Sequence, residues 1–297
     1  MAHPSLTFYA RLSIAAALAT IALKGAAWQL TGSVGLFSDA MESLVNLAGA
    51  CMALWMLSIA VRPADEDHTF GHSKAEYFSS GFEGFLIMGA ACAIAWEGVH
   101  RLFAPAPLDN LGAGMLASML ASAINGATGL VLLRAGRRHR SITLEADARH
   151  LFADVWTSAA VLLGLLAAWA LGWWWMDALL ALLVALHIMR EGLKLVHRSV
   201  AGLMDEALPA HELGAIERVL DDFRAQGVAF HALRTRQAGA RGFASIHVLV
   251  PGAWTVQQGH DMLQSLEAAL QQAVPHLYVI THLEPIEDPK SFNEPSP

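Results

Sequence analysis

Runs of apolar residues dominate the first two-thirds of the chain. Clear stretches lie near 8–30, 36–61, 111–133 and 156–172, with two less pure ones at 77–103 and 176–196. Each is close to or above the roughly 20 residues that a helix needs to cross bilayer hydrocarbon. Of the less pure pair, one carries Glu83 and Glu97. The other follows Trp173-Trp174-Trp175, a residue type that favours the membrane–water boundary. The pattern predicts six transmembrane helices. From about Asp205 the periodicity changes. Residues 211–226 have helical apolar spacing, and 229–237 and 243–250 read as strands about a turn at Gly239 and Gly242. A second amphipathic helix at 255–273 and a short strand at 277–284 complete the order α-β-β-α-β, an α+β sandwich. The expected division is a membrane domain at 1–204, a cytoplasmic domain at 205–290 and a disordered polar tail at 291–297.

The cations orient the spans. Arg62 and Lys74 flank the second connection, Arg134, Arg137, Arg138 and Arg140 cluster in the fourth, and Arg190, Lys194 and Arg198 end the sixth span. The first and fifth connections hold no Lys or Arg. Basic loops stay inside, so both termini are expected in the cytoplasm. Arg11 alone precedes the first apolar run and no A-x-A site follows, which reads as an uncleaved span. Composition agrees with a membrane bundle: mean hydropathy is +0.42. Charged residues make up 15%, against about a quarter in soluble proteins. A net charge of −7 argues against nucleic acid as a partner. Cys51 and Cys92, both in apolar runs, exclude a disulfide framework or zinc ribbon. The chain has no G-x-S-x-G, P-loop or G-x-G-x-x-G, so hydrolysis, ATP-driven pumping and an organic cofactor have no supporting motif.

Candidate chemistry sits inside the spans. Glu42 and Asn46 are one helical turn apart in the second span, and His150 and Asp154 repeat that spacing in the fifth. Residues at i and i+4 share a helix face, and ionisable groups within hydrocarbon usually face the bundle interior and mark an ion path. Facing each other, the two pairs would offer two carboxylates, an imidazole and an amide oxygen to one divalent cation. Such a set suits Zn²⁺, Fe²⁺, Mn²⁺ or Co²⁺. Asp39, one turn earlier, is a possible fifth donor or funnel residue. In the second connection, His68 and His72 lie at i, i+4 with the acidic neighbours Asp65, Glu66 and Asp67, a spacing that suits a surface metal site. In the soluble part His231, His247, His260, His282 and Glu284 are dense enough that the strand-helix-strand layout could converge some of them.

At these residues the chain resembles the cation diffusion facilitator family, over nearly its full length. The resemblance is carried by GSVGLFSDAMESLVN at 32–46, PADEDHTFGHSKAEYF at 63–78, HLFAD at 150–154 and LMDEALP at 203–209. It implies a proton-coupled exporter of divalent metals, of the bacterial ferrous-iron or zinc efflux type. Such exporters are homodimers with six spans and a metallochaperone-like cytoplasmic domain. The family's transport site falls on Glu42, Asn46, His150 and Asp154, its loop site on Asp65, His68 and His72, and its dimer-domain site on His231, His247, His260, His282 and Glu284. Lys74 and Asp205 match a charge pair linking bundle and soluble domain. Zinc members usually carry Asp or His, then Asp, in the second span, where this chain has Glu42 and Asn46. The expectation is therefore proton-coupled efflux of Zn, Fe, Mn, Co or Cd across a bacterial inner membrane, with the metal as both substrate and regulator. The rival expectation is a membrane-bound metal sensor or scaffold that binds metal without moving it.

Overall fold

A computed structural model of the chain describes residues 6–104, 108–139 and 142–292. Arg140 of the fourth connection and residues 293–297 of the expected tail lie outside them. Six long helices open the fold: α1 (Leu6–Thr31), α2 (Val34–Ala60), α3 (Ala75–Phe103), α4 (Leu111–His139), α5 (Ile142–Leu171) and α6 (Trp175–Leu203). The first five are long and apolar enough to cross a membrane. The sixth, at 29 residues, has the length but is more polar, with Asp177, Arg190, Glu191, Lys194 and Arg198 along it. Contacts gather the chain into two compact units, residues 1–53 with 82–196, and residues 54–81 with 197–297. Compaction thus divides the chain differently from the expected linear boundary after 204. The second connection groups with the soluble part.

In the first unit the usual arrangement of polar and apolar groups is inverted. Phe85, Trp96, Leu116 and Trp156 are 64%, 76%, 67% and 76% exposed, whereas Lys24, Asp39 and Asp177 are 2%, 2% and 3% exposed. Such a surface needs an apolar solvent. Close helix approach rests on small residues. A Cβ on Gly84 would stand 3.0 Å from the Gly192 carbonyl, and one on Gly192 would stand 3.0 Å from the Gly84 carbonyl, so α3 and α6 meet backbone to backbone.

The turn between α1 and α2 fixes where α2 begins. Gly32 takes φ +65°, the left-handed conformation that ends a helix cheaply only for glycine. Ser33 then accepts a hydrogen bond from the Leu36 N–H at 3.2 Å. Asp177 of α6 completes the cap, accepting from the Val34 N–H at 2.9 Å, the Gly35 N–H at 3.2 Å and the Ser33 hydroxyl at 2.8 Å. A carboxylate at a helix N-terminus satisfies its free N–H groups and its dipole. The two helices therefore start side by side.

The soluble part of the second unit comprises α7 (Ala210–Arg224), β1 (Ala229–Ala238), β2 (Arg241–Val250), α8 (Val256–Ala273) and β3 (Leu277–Pro285). The sheet order is β1-β2-β3, the first pair antiparallel and the second parallel. A parallel neighbour requires a crossover, and α8 supplies it. That helix starts with a Thr255–Gln258 capping box. Alternate β2 residues Ala244, Ile246, Val248 and Val250 bury one face against Ile216 and Leu220 of α7 and Leu266 and Leu270 of α8. The opposite face carries His247. A 3₁₀ turn, Pro289–Phe292, follows β3 and buries Ser291, whose hydroxyl donates to the Pro285 carbonyl at 2.8 Å.

Candidate metal sites

The soluble-domain site follows from strand register. His231 pairs with His247, and His247 with His282, so three histidines from three strands form one row. Glu284, two residues beyond His282, returns to the same face. His231 Nε2 and His247 Nδ1 lie 2.9 and 3.1 Å from Glu284 Oε2, and His282 Nε2 lies 3.5 Å from Oε1. Just past His231 the register slips and Ala232 takes φ +54°, a bulge that re-aims the strand. Burial opposes ionisation of Glu284, but the hydrogen bond from His231 and the charge and hydrogen bond of His247 prevail, and its carboxyl titrates below the ordinary glutamate value. His260, on α8, is exposed, and the close group among the described residues is His231, His247 and Glu284.

The loop site also assembles. Asp65 Oδ1 lies 3.2 Å from His68 Nδ1 and Oδ2 lies 3.2 Å from His72 Nε2. The His68 backbone N–H, donating to Asp65 at 2.7 Å, is the main reason this carboxyl sits below its usual range; the His68 and His72 rings add to it. Nearby, Lys74 Nζ lies 2.9 Å from Asp205 Oδ1, and Arg236, missed in the sequence reading, joins the same oxygen at 3.2 Å while stacking 4.3 Å from the Phe243 ring.

The membrane donors are spread between two cavities. One, about 550 Å³, is lined by Asp39, Glu42 and Asn46 of α2 and His187 and Glu191 of α6, among others. The other, about 320 Å³, is lined by Asn46, Asn125 of α4, and Asp147, His150 and Asp154 of α5. Asn46 borders both. Among the described residues, the His, Cys, Asp and Glu groups with ligand atoms within 4.8 Å of one another are Asp65–His68–His72 and His231–His247–Glu284. Glu42, His150 and Asp154 form no such group. Both oxygens of Asp39 are engaged: Lys24 Nζ donates to it at 2.8 Å and Ser158 Oγ at 2.9 and 3.0 Å. Lys24 also donates to Ser43 at 2.9 Å. Lys24 went unread in the sequence although a lone cation inside an apolar span is a visible signal. Asp177 and Asn125 went unread as well.

Buried ionisable groups among outward apolar helices, joined to a soluble domain with a histidine row, define a membrane cation transporter. The profile described as the cation efflux transmembrane domain matches residues 10–204, and that of the cation efflux protein cytoplasmic domain matches 208–286. The chain belongs to the cation diffusion facilitator family, whose members are transporters and not enzymes. An uncharacterized transporter of Synechocystis sp., sll1263, is 50% identical over 97% of this chain and 93% of its own. The cation-efflux pump FieF of Shewanella oneidensis is 32% identical over 93% of each chain. The metal-bound C-terminal domain of the CzcD transporter from Thermotoga maritima is 23% identical, covers 28% of this chain and 99% of that structure, and has a TM-score of 0.25.

Proposed function

We propose that this chain is a homodimeric exporter that carries divalent transition-metal ions out of the bacterial cytoplasm, across the inner membrane, in exchange for protons. The observation that carries this reading is the pair of cavities meeting at Asn46, lined by Glu42 on one side and by His150 and Asp154 on the other. Two carboxylates balance one divalent charge. His150 binds metal only as neutral imidazole, so metal and protons compete for the same atoms, and a proton gradient can drive release. Collecting the donors around one ion requires them to close across Asn46. The soluble-domain row would sense cytoplasmic metal and shift the population toward transport-competent states.

The test is metal uptake by proteoliposomes with and without a pH gradient, over Zn, Fe, Mn, Co, Ni and Cd. Gradient-dependent flux of at least one ion is expected. Metal binding without flux would favour the second reading, a membrane-bound sensor or scaffold. That reading draws support from the two assembled groups, which both lie outside the set of membrane donors.

A further inference from the structure

Five buried side-chain polar atoms among the described residues have no hydrogen-bond partner, and three of them belong to α4: Ser118 Oγ, Ser122 Oγ and Asn125 Oδ1. Positions i, i+4 and i+7 share one helix face. Asn125 is 1% exposed and stands in the wall of the cavity that holds Asn46, His150 and Asp154. A buried amide oxygen without a donor destabilises the fold, and a leucine of similar size would fill the same place without that penalty. Oxygen donors of this kind suit hard divalent cations.

We infer that Asn125 is a direct ligand of the transported cation, adding an amide oxygen from α4 to the set formed by Glu42, Asn46, His150 and Asp154. The inference rests on the transport reading and deepens it. Two amide oxygens, two carboxylates and one imidazole make a harder set than a zinc site richer in histidine. Mn²⁺ is the ion that should feel Asn125 most.

The experiment uses the full-length protein. Mn²⁺ uptake by proteoliposomes and equilibrium Mn²⁺ binding in detergent are measured for wild type, Asn125→Leu, Asn125→Asp and Asp154→Asn, with thermal unfolding as a control. Because the loop and soluble-domain clusters are common to all, only differences from wild type are read. Asn125→Leu should raise the KM for Mn²⁺ by about tenfold or more and weaken binding in step, with an unchanged or higher melting temperature. Asn125→Asp should lower KM and tighten binding. Wild-type KM and affinity in either Asn125 variant, with binding lost in Asp154→Asn, would remove Asn125 alone from the site. Wild-type behaviour of Asp154→Asn would overturn the transport site as a whole, Asn125 included.

Discussion

At the scale of single residues, the buried charges decide what the membrane unit can bear. Removing one partner of a buried ion pair leaves the other uncompensated, at a cost of about 3–5 kcal/mol, while replacing both is far milder. Lys24→Met should therefore lower the melting temperature of the detergent-purified protein sharply. Lys24→Met combined with Asp39→Leu should recover most of it, and if the double variant melts no higher than the single one the pair is not coupled. Asn46 faces the opposite test. Asn46→Asp adds a third carboxylate to the donor set of Glu42 and Asp154, which should tighten Zn²⁺ and Cd²⁺ and steepen the pH dependence of binding, since the new group also takes protons. Metal titrations between pH 6 and 8 check this, with unaltered affinity and slope counting against Asn46 as a ligand. The spacing that singled out Glu42, Asn46, His150 and Asp154 was legible in the chain. Which cavity each residue borders was not, because helix rotation is set by neighbours such as Lys24 and Asp177.

At the scale of elements, two features set the geometry. Asp177 holds the first turn of α2, and loss of a capping group costs about 0.5–2 kcal/mol. Asp177→Ala should fall toward the upper end, because the freed N–H groups are buried, and Asp177→Asn should lose less; thermal melts of both variants decide. In the sheet, Glu284 supports the histidine row as an anion. Its depressed folded-state pKa means that this stabilisation is fully present above the ordinary value of 4.5 and disappears as pH falls through the lower folded value. Acid unfolding followed by circular dichroism should show that step in wild type and not in Glu284→Gln. The strands were readable from alternation and from the turn at Gly239, and their limits shifted by only a residue or two. The residues of the row came from the family resemblance, and spacing alone did not align them. The row depends on register, and the bulge at Ala232 resets register just beside His231.

At the scale of the whole molecule, the six helices, the α-β-β-α-β order and the family could all be read from the chain, since long apolar runs and a specific FGHSKAE segment leave little freedom. The compact units could not, because the pull of residues 54–81 toward the soluble part arises from tertiary contacts. Triple substitution of His231, His247 and His282 by Ala should shift transport to higher metal concentration without abolishing it, as measured in proteoliposomes. Complete loss of flux with intact folding would make the row part of the conduction route rather than a sensor. The Asp177 tie has a mechanical meaning as well. It makes the start of α2 a fulcrum, with Asn46 twelve residues along the lever, about 18 Å away. A tilt of about 10° there carries the Asn46 amide about 3 Å, more than a metal–oxygen bond of about 2.1 Å. A small angular stroke is thus enough to make or break coordination, and damage at the fulcrum would reach the cation as lost travel.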